Sequence, residues 1–332
     1  MLKRATKIIV FLLLILSSAI LLKFIFLGKK LDIATITPYL TKDKLVHDSL
    51  SLTYLGCAGF IIENKEKSIL CDPFISNPNI FNFSKKFDSW SERISPEKLK
   101  NIDMVAISHG HYDHCYDITD LCNYLPSQAQ IIADASVHNQ LNVIYKAATF
   151  RKTALHYTDK QQWIYENDSA FRIFALKSVH SPHIGKIEFF KGHYDTPLAK
   201  IPTKPWQWKK GEAYSYLIDI LENQRVKYRI VLVNGNLTND AMQTLKTLSN
   251  ERKSDIQLQI FWKEKLNIDN LLEVYNITQP KEIILHHWNN FFVSFDKPLQ
   301  YMRDAHLPEV LKRLNEQEIP TSMMLPFTEV KL

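Results

Sequence analysis

Two kinds of apolar pattern divide the chain. Near the start, residues 8–22 are apolar apart from Ser17 and Ser18, and the run resumes at 24–27 after Lys23. From residue 51 onward, apolar residues come in short runs separated by turn residues. Residues 52–55, 60–63 and 68–71 read as strands. Residues 103–107 are nearly all apolar, the pattern of a strand covered on both faces. Residues 118–124 and 136–145 have helical spacing, and 171–179, 214–221 and 228–233 are further strands. A helix over 239–249 with Asn239 as its cap, a strand over 256–261, a helix over 268–275 and a strand over 282–286 then alternate. Antiparallel strands followed by α/β alternation predict layered sheets with helices outside.

The first 30 residues look unlike the rest. Residues 8–27 are long enough for a helix to cross about 30 Å of hydrocarbon, so the pattern predicts one N-terminal transmembrane helix. On this reading residues 1–30 are a membrane anchor or signal, 31–50 a tether with mixed charges and Pro38, and 51–332 the folded body. Lys3, Arg4 and Lys7 place the body on the extracytoplasmic side, although Lys29 and Lys30 on the far flank oppose this. No small-x-small site follows the run, which favours an uncleaved anchor over a cleaved secretion signal. The charge agrees with this division. The chain has 41 Lys+Arg and 35 Asp+Glu; six of the basic residues and none of the acidic ones fall in 1–30, so the body is neutral. A neutral body argues against a nucleic-acid partner. At 45% hydrophobic and 23% charged, the composition excludes disordered and multispan membrane classes. The four cysteines form no CxxC pair and read as buried free thiols.

The chemistry is concentrated after the buried strand, in Ser108-His109-Gly110-His111-Tyr112-Asp113-His114. Neutral imidazoles and a carboxylate are standard zinc ligands, and a loop at a strand's end can fold them around one point. Four of only eight glycines, Gly56, Gly59, Gly110 and Gly235, sit at strand ends, where backbone geometry can demand them. The pattern His109-x-His111-x-Asp113-His114 resembles the signature of the metallo-β-lactamase fold superfamily. Residues 53–62 and 70–74 are similar to that fold's opening hairpins. His287-Trp288 resembles the last metal motif of the branch that holds ascorbate-lactonase-like proteins and the zinc phospholipase D acting on N-acyl phosphatidylethanolamines. The resemblance implies an α/β protein, an αββα sandwich with metals at one edge of its two sheets.

It also implies a ligand set. His109, His111 and a third histidine would bind the first zinc ion; Asp113, His114 and His287 would bind the second. His180, directly after the 171–179 strand, is the preferred third histidine, with His183 as the alternative. Asp72 would stand near the site without being a ligand. One departure matters: the family's usual Gly-Asp after the strand at 228–233 is Gly235-Asn236 here. A neutral amide oxygen is a weaker ligand than a carboxylate, so the second ion would be held less tightly, with Asn236 a doubtful ligand. A zinc ion would lower the pKa of its water towards ~7 and polarise the attacked oxygen, with Asp113 orienting or deprotonating the nucleophile. No Gly-x-Ser-x-Gly or nucleotide-binding glycine pattern competes. Residues 183–215 combine six lysines, three acidic residues and six aromatic ones, a mixture suited to a phosphorylated or lipid headgroup or equally to covering the sandwich. The expected protein is a membrane-anchored, zinc-dependent hydrolase of a phosphodiester or lipid-derived ester. The alternatives are a lactonase or amide hydrolase, and a tethered metal-binding protein without catalysis.

Overall fold

Alternate residues of single strands explain why the chain builds two sheets. Ile69 and Cys71 enter the largest apolar cluster, whereas Leu70 between them belongs to a second cluster on the opposite face. Met104 and Ala106 divide from Val105 in the same way. In the C-terminal half, Ile173 and Ala175 divide from Phe174 and Leu176, and Ile230 and Leu232 from Val231 and Val233. A sheet apolar on both faces must be covered twice. The inner faces of the two sheets meet in the shared cluster. Helix Ala135–Ala147 covers one outer face through Val137, Leu141 and Ile144, and helix Asn239–Glu251 covers the other through Ala241, Met242 and Leu245. The layers are therefore αββα. This computed structural model describes residues 11, 28–43, 50–65, 67–80, 82–86, 88–147, 155–183 and 186–332.

The sheets share one plan. In the seven-stranded sheet, Glu329–Lys331, Leu50–Gly56, Gly59–Asn64 and Lys67–Cys71 are antiparallel neighbours. Ile102–Ala106, Gln130–Ala133 and Leu155–Tyr157 then extend it in parallel. In the eight-stranded sheet, Trp163–Tyr165, Phe171–Val179, Ala213–Glu222 and Arg225–Val233 are antiparallel. Ile256–Ile260, Glu282–His286 and Thr321–Met323 continue in parallel, and the short Asn236–Leu237 pairs back onto Phe171–Val179. Strand polarity follows from this pairing. Leu50–Gly56, Lys67–Cys71 and Ile102–Ala106 all run one way, as do Phe171–Val179, Arg225–Val233 and Glu282–His286 in the other sheet. Their C-terminal ends lead directly into Cys57, Asp72, Ser108-His109, His180, Asn234 and His287.

Several expectations change. Helix Asn239–Glu251 is capped by Thr238, whose hydroxyl accepts the Ala241 N–H at 3.3 Å, so Asn239 is its first residue instead of its cap. Residues 31–43, expected as part of a tether, pack on the body. Leu31 and Ile36 are buried in the inner cluster, and Thr41 N–H donates to the Met323 carbonyl at 2.9 Å. The last residues also belong to the body. Helix Leu307–Glu316 buries Leu307, Val310, Leu311 and Leu314, one face at helical spacing, and the strands after it add one edge to each sheet.

The transmembrane helix expected over 8–27 is corrected. No helix among the described residues is long and apolar enough to cross a membrane. Apart from Phe11, the 8–27 run lies outside the described residues, so the cleaved-signal alternative lies there too. Its basic C-terminal flank, Gly28–Lys30, is a strand paired antiparallel with Gln300–Met302. The membrane anchor, the membrane partner and the extracytoplasmic body rested on that helix and fall with it.

Among the histidines outside the motif, His138 is buried, with Nε2 2.9 Å from the His156 carbonyl and Nδ1 3.1 Å from the Tyr145 hydroxyl. The neutral ring with its proton on Nε2 donates to the carbonyl and accepts from the phenol. Burial pushes its pKa down to about 4. The folded value lies below the ~6.5 of an unfolded chain, so this contribution is full above about pH 6.5 and is lost as pH falls towards 4. A shift of that size corresponds to about 3 kcal/mol. His138→Gln should therefore flatten the loss of unfolding free energy between pH 7 and 4, measured by urea denaturation. An unchanged slope would refute the assignment.

Candidate metal centre

His109, His111 and His180 converge, each offering a ring nitrogen, with these atoms all within 4.8 Å of one another. His109 Nε2 and His111 Nδ1 face each other at 3.2 Å, and the three ring centroids are 4.7–4.9 Å apart. Local backbone makes this possible. Ile107 N–H still bonds the neighbouring strand at Ile132, after which the chain leaves the sheet and His111 opens the one-turn helix Tyr112–Cys115. Gly110 between the histidines is required by a close approach. Its N–H donates to the Lys210 carbonyl at 2.7 Å, its carbonyl accepts from Gln140 Nε2 at 2.8 Å, and a Cβ here would collide with the Lys209 carbonyl.

Electrostatics keeps this cluster neutral. Burial, reinforced by the neighbouring imidazoles, holds His109 and His180 far below the ordinary histidine range. Burial likewise pushes His111 down to about 3 despite the nearby Asp113 carboxylate. Neutral rings turning lone pairs towards a common point are the donor set of a divalent transition-metal ion, so the residues fit the group that the motif implies.

A second cluster comprises Cys57, Asp113 and His287. His287 Nε2 lies 3.4 Å from Asp113 Oδ2 and 3.3 Å from Cys57 Sγ. Burial would raise the Asp113 carboxyl, but His114 and His287 hold it well below the usual carboxylate range. His114 points Nε2 at the same carboxylate from 3.8 Å, and its Nδ1 is 2.9 Å from Asp72 Oδ2. Burial alone would lower His114, yet Asp72 and Asp113 raise it. Asp72, fully buried, also accepts the Ser108 N–H and hydroxyl, each at 2.7 Å, and the Asn234 amide at 2.9 Å. It orients His114 and lies outside both clusters.

The remaining candidates separate by position. His183 stacks on His180 with centroids 5.0 Å apart, and its Nδ1 accepts the Phe189 N–H at 3.0 Å, so it stands beside the first cluster. His286 ends its strand with Nε2 against the Val233 carbonyl at 3.2 Å, away from both clusters. Asn236 pairs opposite Val179, next to His180, and its Oδ1 is buried without a hydrogen-bond partner. Cys57 is the residue that sequence reasoning missed. Its signal was its place in the turn Gly56-Cys57-Ala58-Gly59, at the end of a strand that runs towards the motif.

Above the clusters lies a cleft. His111, Asp113, His114, His180, His183 and His287 form its floor; Ile80, Tyr112, Phe189, Phe190, Ile260, Trp262, Phe291, Phe292 and Met302 form its walls. Aromatic residues of the 183–215 segment fall in two places. Phe189 and Phe190 border the mouth, whereas Trp208 is fully buried and packs on Tyr116 with centroids 5.7 Å apart. Its charge is partly internal, since Lys210 pairs with Glu188 at 2.9 Å. Phe83 is buried against Tyr112, with ring centroids 5.4 Å apart.

Gly110→Ala tests the close approach. The added methyl should force residues 209–210 off the motif, lowering stability by about 1–3 kcal/mol, as overpacking does. It should also reduce metal retained per chain, read by thermal unfolding and elemental analysis. Unchanged values in both would show that the loop is not held against the motif.

The comparisons agree with this geometry. Residues 67–229 match the family described as Beta-lactamase superfamily domain. A metal-dependent hydrolase of Aeropyrum pernix is 33% identical over 82 residues, 25% of this chain and 28% of that protein. The chain thus spans about a quarter of that relative's length. Igni18, a metallo hydrolase of Ignicoccus hospitalis, superposes with a TM-score of 0.56 at 16% identity, covering 85% of this chain and 97% of its own. CmlA, a diiron beta-hydroxylase of Streptomyces venezuelae, gives 0.54 at 14% identity over 86% of this chain and 55% of its own. With candidate ligands for one or two ions at the common edge of its two sheets, the chain has the fold of the metallo-β-lactamase superfamily of metal-dependent hydrolases.

Proposed function

We propose that the protein is a zinc-dependent hydrolase that cleaves an ester bond in an apolar, lipid-derived substrate. The observation that carries this reading is the cleft: convergent metal ligands form its floor, aromatic and aliphatic side chains form its walls, and no Lys or Arg is among the described residues lining it. The ions on the floor would serve a carbonyl or a phosphoryl group alike, whereas the apolar walls suit an acyl body, which favours the ester. Lactone and amide substrates share the carbonyl chemistry and remain alternatives. The His287-Trp288 pair alone supports the branch with ascorbate-lactonase-like proteins and the lipid-cleaving zinc phospholipase D. The similar fold of Igni18 belongs to a metallo hydrolase, and that of CmlA to a diiron beta-hydroxylase, so the fold hosts more than one reaction.

The ions, when bound, would polarise the scissile carbonyl and lower the pKa of water. His109, His111 and His180 would hold the first; Asp113, His114 and His287 the second, with Asn236 a weaker neutral donor. The Asp113 carboxylate, kept deprotonated by His114 and His287, would accept a hydrogen bond from the attacking water and fix its direction. Phe189 and Phe190 would exclude bulk water from the acyl group.

The test uses the full chain purified without chelators, with nitrophenyl esters of increasing acyl length set against bis(nitrophenyl) phosphate. Ester kcat/KM should rise by up to about fourfold per methylene until the cleft fills, as expected for about 0.8 kcal/mol per buried CH₂. His111→Ala should lose metal and activity together. Faster turnover of the phosphodiester, or ester cleavage insensitive to chelators, would sink the reading. Separately, Asn236→Asp should raise the zinc-to-protein ratio at limiting zinc by strengthening the second site. An unaltered ratio would mean that residue 236 does not face it.

A further inference from the structure

We propose that Cys57 is a thiolate ligand of the second ion, so that an all-histidine site stands beside a Cys–Asp–His site. The inference rests on the metal-centre reading above and adds a donor that the resemblance did not supply.

The backbone around Cys57 holds the sulfur in place. Cys57 and Ala58 form the tight turn between Leu50–Gly56 and Gly59–Asn64, and Cys57 has φ +49°, a left-handed conformation better suited to glycine or asparagine. The strain is held from several sides. Cys57 N–H donates to Asn289 Oδ1 at 2.7 Å, and its carbonyl accepts the His287 N–H at 2.6 Å, with the Tyr54 hydroxyl 2.9 Å away. His287 is left-handed as well, at φ +60°. The two strained residues are thus bonded through their backbones, which sets Sγ 3.3 Å from His287 Nε2.

That spacing fits a shared ion. With bonds of about 2.3 Å to sulfur and 2.0–2.2 Å to nitrogen and oxygen, tetrahedral ligands stand about 3.3–3.6 Å apart. The observed 3.4 Å from nitrogen to carboxylate oxygen matches, and the 3.3 Å from sulfur to nitrogen needs to widen by only about 0.2–0.3 Å. The other thiols are placed differently. Cys71 sits in the inner apolar cluster, Cys115 Sγ donates to the His111 carbonyl at 3.3 Å, and Cys122 Sγ to the Thr119 carbonyl at 3.6 Å. Charge argues the same way. Asn236 is neutral where the resemblance has a carboxylate, and a thiolate with Asp113 restores two negative charges opposite a divalent ion. A coordinating thiol is deprotonated, and sulfur selects zinc, cobalt or iron over magnesium and calcium.

The experiment is cobalt(II) titration of the full chain, with zinc-edge X-ray absorption of the zinc-loaded wild type. Two cobalt ions per chain should bind, with a near-ultraviolet sulfur-to-cobalt charge-transfer band. Cys57→Ser should lose that band and bind the second cobalt at least tenfold more weakly, keeping the first. The absorption measurement needs no variant and should find one sulfur at about 2.3 Å. Cobalt bound only by nitrogen and oxygen, or a band that survives in Cys57→Ser, would overturn the assignment and leave the histidine site standing. No cobalt uptake would overturn the metal centre and this ligand together. A sulfur ligand found in a protein that leaves every ester intact would uphold the assignment and refute only the proposed substrate.

Discussion

The edge where both sheets end depends on the carboxylate of Asp72. It is fully buried, so it must be satisfied by hydrogen bonds instead of water. Its partners come from three directions: Ser108 from the adjacent strand end, the His114 ring from the motif's helical turn, and Asn234 from the opposite sheet. One group thus joins the two layers at the place where the candidate ligands must meet. Removing it would take the acceptor from the Asn234 amide and the carboxylate partner from His114, loosening the ring that faces Asp113. Asp72 adopts φ +41°, which extends to a third residue the left-handed backbone of Cys57 and His287. Such strain persists only where the surroundings over-determine it, and three such residues meet at this centre.

The centre and the cleft impose opposite demands. Buried imidazoles close together cannot all be charged, so the cluster of His109, His111 and His180 is neutral and Asp113 beside it is negative. The walls are aromatic and aliphatic. A divalent ion would answer the floor, and the apolar substrate body proposed above would answer the walls. The lysines of the 183–215 segment, prominent in the sequence, answer neither, because Lys210 is paired with Glu188 and none of them lines the cleft. A local charge of one sign in a linear segment says little about a site until the ion pairs around it are known.

Much of this protein was legible in its sequence. Period-two alternation and short apolar runs determined which segments are strands, and the density of His and Asp after residues 103–107 marked the centre. These are local signals: a strand alternates faces over a few residues, and one loop holds four of the donors. What failed locally was the apolar N-terminal run, where composition alone suggested a membrane helix and no spanning helix is found among the described residues. Tertiary structure decided whatever depends on strand polarity and register across distant segments. The pairing order sends the ends of six strands to one edge and so selects His180 over His183 for the histidine cluster. It also brings the thiol of Cys57 within 3.3 Å of His287, 230 residues away. Nothing in the run around residue 57 encodes that neighbour, because a contact between two strand ends is fixed by how the sheets stack and not by either strand's own pattern.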